Sequence, residues 1–176
     1  SCRIAAADVC EKYPDRRIVV VDSLAATLGQ GLLVYKAVQL KEAGKNLDEI
    51  AAWLEENKYH LVHNFTVDDL FHLHRGGRLS KTAAIVGTMI NLKPVLHVDD
   101  EGHLVMLSKV RGRKKSLIGL VDCMEKQLGD WKDKNDIIFI SHGDCPEDAQ
   151  FVADLIKERF GYENFMIDYI GATIGA

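Results

Sequence analysis

Short apolar runs alternate with amphipathic stretches along the 176 residues. Ile18-Val19-Val20-Val21 is unbroken and β-branched, the pattern of a parallel strand buried on both faces. It ends in Asp22-Ser23, and after Gly29 and Gly31 a helix is predicted to run to Gly44, placed to take the left-handed C-terminal position. Asn46 and Glu49 nearly match a capping box, and Leu47, Ile50, Ala51 and Leu54 then recur on one helical face. His60 to Thr66 reads as a second strand. Asp68 to His74 reads as a short helix stopped by Gly76-Gly77, and Ser80 opens another through Asn91. Val95–Val98 and Leu104–Leu107 flank Asp99-Asp100-Glu101-Gly102 as a hairpin. A helix follows with Leu117, Leu120, Val121, Met124 and Leu128 on one face. Ile137–Ile140 is a further buried strand, Pro146 opens a helix, and Phe165–Tyr169 closes as a last strand. The pattern is α/β, with a mixed sheet in its second half. A boundary near residues 66–68 divides the chain into 1–66 and 67–176. Ser1–Val9 resembles the back half of a helix, and Gly171–Ala176 stops one step past a strand, so both ends read as cut.

Composition narrows the classes. The chain is 47% apolar and 27% charged, which is globular composition, and its net charge of −4 gives no overall field for nucleic acid or an anionic membrane. No apolar run reaches the length of a membrane span, and the first residues carry no export signal. Cys2, Cys10, Cys123 and Cys145 form no CxxC pair and read as reduced thiols of a cytoplasmic protein.

Walker, Rossmann, nucleophile-elbow and zinc-protease signatures are absent. Ser141-His142-Gly143-Asp144 holds triad letters, but neighbouring strand residues face opposite ways, so it reads as a strand-end loop into the Pro146 helix. The pairs His60/His63 and His72/His74 lack the spacing of a helical zinc site, and no metal is expected. Two basic stretches stand out. His74-Arg75-Gly76-Gly77-Arg78-Leu79-Ser80-Lys81 sets two arginines around a diglycine. Lys109-Val110-Arg111-Gly112-Arg113-Lys114-Lys115 carries five cations in seven residues. Each is either a solvated basic face or a contact for an anionic partner or phosphorylated ligand. Between them, Ala83–Val95 is apolar with small residues, Gly87 and Met89. It reads either as ordinary core or as the lining of a lipid tunnel.

Taken together, residues 19–34 (VVVDSLAATLGQGLLV), 70–80 (LFHLHRGGRLS), 87–96 (GTMINLKPVL), 109–115 (KVRGRKK) and the strand–HGD–helix unit at 137–160 resemble the DegV family of bacterial fatty-acid-binding proteins. The resemblance implies a two-lobed α/β fold, with a parallel sheet portion in the N-terminal lobe and a mixed C-terminal lobe containing the hairpin. It implies one long-chain fatty acid held between the lobes. In the branch serving fatty acid kinase, the carboxylate is presented to a separate kinase subunit for acyl-phosphate formation, which feeds phospholipid synthesis. The chain would then be a non-catalytic, lipid-binding subunit with no cofactor. The family's carboxylate-binding Thr, Ser and His motifs lie outside these 176 residues, and Thr27 stands where many members carry Ser. Ile85 and Met89 are expected to line the tail. Gly76, Gly77, Arg78 and Arg111 are expected to serve the kinase partner or the developing acyl-phosphate. The competing classes are a stand-alone phosphotransferase or anion-binding α/β protein, and a nucleic-acid or membrane-surface module built on residues 109–115.

Overall fold

The computed structural model describes residues 2–78 and 92–172. Among these residues six α-helices and five strands follow in the order α1 (Cys2–Lys12), α2 (Thr27–Glu42), α3 (Leu47–Asn57), β1 (Asn64–Phe65), α4 (Leu70–Arg75), β2 (Leu92–Val98), β3 (Leu104–Arg111), α5 (Arg113–Leu128), β4 (Ile138–His142), α6 (Pro146–Phe160) and β5 (Phe165–Tyr169). The local rules explain most of the helix ends. Asn46 accepts from the Asp48 and Glu49 N–H groups while Glu49 reaches back to the Asn46 N–H, which completes the capping box. Gly44 takes the left-handed position at φ +84°. Pro146 sits at the first turn of α6, with Glu147 and Asp148 behind it.

Two small sheets result. β1, β2 and β3 are antiparallel, with Phe65 opposite Leu96 and Leu92 opposite Arg111, and a register shift between Val95 and Leu96. β4 and β5 are parallel, Ile138 opposite Phe165 and His142 opposite Tyr169. Leu70 and Leu96 centre one apolar cluster, with Phe65, Val67, Leu73, Leu104 and Met106 around it. A second forms where α5 meets α6, on Leu117, Val121, Val152 and Ile156. α5 packs on β2 and β3 as well as on α6, so it joins the two clusters, and α2 packs on β4. Contacts therefore run across residue 66: β1 pairs with β2, and the α2 ring of Tyr35 lies 5.6 Å from Phe139 of β4.

The α/β class and the hairpin agree with the pattern, but three elements differ from it. Ile18–Val21 is extended without being a strand, and Ile18 and Val19 are 42% and 41% exposed. A β-branched run becomes a buried strand only when neighbours supply a ladder, and among the described residues none lies beside it. Among the described residues the parallel pairing is that of β4 with β5. Second, His60–Thr66 is mostly not a strand. Lys58 stays helical after α3, the last turn tightens to a 3₁₀ turn over Lys58–His60, and two residues are left for β1. Third, the hairpin strands are longer than the apolar runs, reaching back to Leu92 and on to Arg111. The helix expected at 80–91 lies outside the described residues.

Candidate anion site where strand and helix ends converge

Arg78 is placed by a helix ending. Asp69 opens α4 by accepting from the Phe71 N–H at 2.8 Å. Six residues on, the Gly77 N–H donates to the His74 carbonyl and the Arg78 N–H to the Leu73 carbonyl, both at 2.9 Å. These two bonds make a Schellman ending, and Gly77 takes its left-handed position at φ +69°. Gly77 thus has a backbone reason of its own, whereas Gly76 is right-handed at φ −73°, and the turn delivers an exposed Arg78 just past the helix. Arg111 is the exposed last residue of β3, opposite Leu92. Gly112, at φ +91°, turns the chain from there into α5. Neither Arg78 nor Arg111 enters an ion pair among the described residues.

The cations around them behave differently. Lys93 Nζ lies 2.9 Å from Asp68 Oδ1 and also donates to the Asp68 carbonyl at 3.2 Å. Arg113 donates through Nε to Asp148 at 2.7 Å, and its Nη1 lies 3.8 Å from Asp68. Its Nη2 meets the Cys145 thiol at 3.8 Å, and the Cys145 N–H donates to His142 Nδ1 at 3.3 Å. The Lys93 hydrogen bond outweighs the opposing effect of burial and, with the smaller contributions of the Lys93 and Arg113 charges, holds Asp68 below the ordinary carboxylate range. Burial disfavours the Arg113 charge, but the Asp148 bond and the two carboxylates outweigh it and raise its pKa. So among the described residues of the two basic stretches, Arg113 is neutralised by carboxylates, whereas Arg78, Lys109, Arg111, Lys114 and Lys115 make no ion pair. Sequence reasoning could not sort them. The Lys93–Asp68 and Arg113–Asp148 contacts span 25 and 35 residues, and no periodicity reports such pairs.

The Ser141–Asp144 stretch ends β4, with each side chain engaged separately. Ser141 Oγ donates to Thr27 Oγ1 at 3.4 Å, whereas the His142 ring is buried 4.5 Å from Tyr169. At the hairpin tip, ligand atoms of Asp99, Glu101 and His103 lie within 4.8 Å of one another. Asp99 Oδ1 accepts from the His103 and Glu101 N–H groups, which serves the turn itself. An apolar groove of about 320 Å³ runs between α2 and α3, lined in part by Val21, Leu33, Val34, Ala37, Ile50 and Leu54. Ile85 and Met89 lie outside the described residues.

His63 is the mostly buried histidine of the first pair. Its Nδ1 has no partner among the described residues, and a Cβ on Gly29 would stand 2.8 Å from it. Burial lowers its pKa. The unfolded chain therefore takes up that proton first, near the ordinary value of about 6.5. Stability is complete above that pH and falls below it, by at most about 1.4 kcal/mol per pH unit. Denaturant unfolding of the full-length protein between pH 7 and 5 should show this slope, and His63→Phe should flatten it. An equal slope in both would rule out His63 as its origin.

Comparison with known proteins places the chain. The family model described as "Uncharacterised protein, DegV family" matches residues 1–176. A DegV domain-containing protein of Clostridium perfringens is 50% identical over 176 residues, covering 100% of this chain and 60% of the relative. One of Lactococcus lactis is 40% identical over 99% of this chain and 59% of the relative. Among solved structures, the Streptococcus pneumoniae Fatty Acid Kinase (Fak) B3 protein loaded with linoleic acid is 25% identical. It superposes with a TM-score of 0.85 over 96% of this chain and 59% of that one. A DegV family protein of Ruminococcus gnavus refined with vaccenic acid is 27% identical with a TM-score of 0.83, over 94% of this chain and 58% of that one. The chain spans about 60% of the length of the curated relatives it matches first. No described helix is long and apolar enough to cross a membrane. From its fold and over its whole length, the chain belongs to the DegV family.

Proposed function

We propose that the full-length protein is a cytoplasmic carrier that holds one long-chain fatty acid between two lobes, to which residues 1–66 and 67–176 contribute. It presents the carboxylate to a separate kinase subunit. One arrangement carries this reading. The apolar stretch Ala83–Leu92 begins five residues after Arg78, and its last residue stands opposite Arg111. An apolar stretch of sequence flanked by two arginines that make no ion pair among the described residues suits an amphiphile with an anionic head. Ile85 and Met89 are assigned to the tail. Gly76, Gly77, Arg78 and Arg111 are assigned to the partner or to the phosphoryl group. Fatty acids bound by solved relatives support the reading.

In the reaction, a carboxylate oxygen bonds to the γ-phosphorus of ATP while the bond from that phosphorus to the ADP oxygen breaks. ADP leaves and the product is an acyl-phosphate. The ATP comes with the kinase subunit, so this chain is assigned no catalytic residue and no cofactor. Its part is to bury the tail and hold the head. Burying a sixteen-carbon tail at about 0.8 kcal/mol per methylene gives on the order of 10 kcal/mol before the costs of binding. A ligand held that firmly should survive purification. Organic extraction and mass spectrometry of the full-length protein should find one acyl chain per molecule. Its absence, or ATP turnover by the protein without a partner, would turn the reading toward a stand-alone phosphotransferase.

A further inference from the structure

Arg78 follows α4 and Arg111 ends β3, and the Lys93–Asp68 ion pair joins the segment opening α4 to β2, the ladder neighbour of β3. We propose that Lys93 and Asp68 form a positioning clamp that fixes Arg78 relative to Arg111. The proposal rests on the role given to those arginines above.

The path between them is short and made of constrained pieces. Lys93 holds Asp68 at two atoms, carboxylate and carbonyl, at 2.9 and 3.2 Å. Asp68 directly precedes Asp69, whose side chain opens α4. α4 is only six residues long, and its Schellman ending carries the constraint through Gly76 and Gly77 to Arg78. On the other side, Lys93 sits on β2 opposite Val110, and the adjacent pair in the ladder is Leu92 with Arg111. A second tie supports the first, since Thr66 Oγ1 donates to the Pro94 carbonyl at 2.7 Å. Pro94 is fully buried, so that end of β2 does not move freely. The Lys93 side chain is 22% exposed and that of Asp68 72%, so the hold rests on the two-atom geometry more than on shielding of the charges. Held this way, Lys93 is not a free cation for a ligand. Its charge is matched by Asp68, and its work is to set the spacing of Arg78 and Arg111, which make no ion pair among the described residues.

The test uses the full-length protein. Lys93→Met keeps the length of the stem and removes the charge, and Asp68→Asn removes the other half. Each should speed hydrogen exchange of the amides at 73–78 by about tenfold, because the α4 ending opens locally more often. Each should lower acyl-phosphate formation with the kinase subunit and ATP by about tenfold or more, since small misplacements of reacting groups cost that much. Bound fatty acid should stay at one per molecule. The conservative variants Asp68→Glu and Lys93→Arg, which keep the pair without setting a second cation against Arg113, should retain most of both properties, which simple loss of the side chain would not do. Unchanged exchange in Lys93→Met and Asp68→Asn overturns the clamp. Faster exchange with full turnover overturns the positioning role. If the wild-type protein itself yields no acyl-phosphate, the carrier reading fails, and the exchange measurement still decides whether the clamp exists.

Discussion

Arg78→Ala and Arg111→Ala, made separately in the full-length protein, should each slow acyl-phosphate formation about a hundredfold, the usual cost of ~3 kcal/mol for losing one contact to a developing anion. Bound fatty acid should remain. Both side chains are exposed and make no ion pair among the described residues, so removing either leaves no buried group stranded. Alanine at 78 keeps the N–H that bonds the Leu73 carbonyl, and the Schellman ending survives. Lysine at either position should restore little, because a lone ammonium cannot make the paired contact of a guanidinium. Lipid content, thermal melt and turnover measured on the same preparations separate the outcomes. A lowered melt with unchanged turnover per folded molecule would make Arg78 part of its turn only. Full turnover in both variants would end the head-group role.

The second large effect concerns the tail. Met89→Asp in the full-length protein should abolish fatty-acid retention, since an ionised carboxylate in an apolar lining costs several kcal/mol without a partner. The melt of the lipid-free protein distinguishes the two origins of that loss. If Met89 lines the tail, the variant still unfolds cooperatively and is simply empty. If Met89 is ordinary core, the cooperative melt disappears with the lipid. A folded variant with its full complement of fatty acid would remove Met89 from the tail assignment altogether.

The parts of this fold governed by neighbours in sequence could be read from the sequence. Asn46 with Glu49, Gly44, and Pro146 each act within one turn, and each does in the structure what its residue type dictates. Ile18–Val21 could not be read the same way. Its sequence states that it suits a sheet, but whether a strand lies beside it depends on distant residues, and no described one does. The site divides along the same line. Local crowding of charge and glycine picks out Arg78 and Arg111. That Lys93 is held by Asp68 and Arg113 by Asp148 follows only from the folding of β2, α5 and α6 against one another. Five cations in seven residues look alike on paper, and tertiary pairing is what makes Arg113 different.

The ending of α4 has a consequence for how tolerance at position 77 should be understood. A side-chain carbon added to Gly77 would meet nothing within 4 Å among the described residues. The constraint there is therefore one of handedness and not of room: an L residue is strained at φ +69°, whereas its mirror image is at ease. A D-alanine introduced by chemical synthesis would suit that backbone angle. Intolerance of ordinary substitutions at 77 thus speaks of chirality, and it carries no information about whether an anion approaches the backbone.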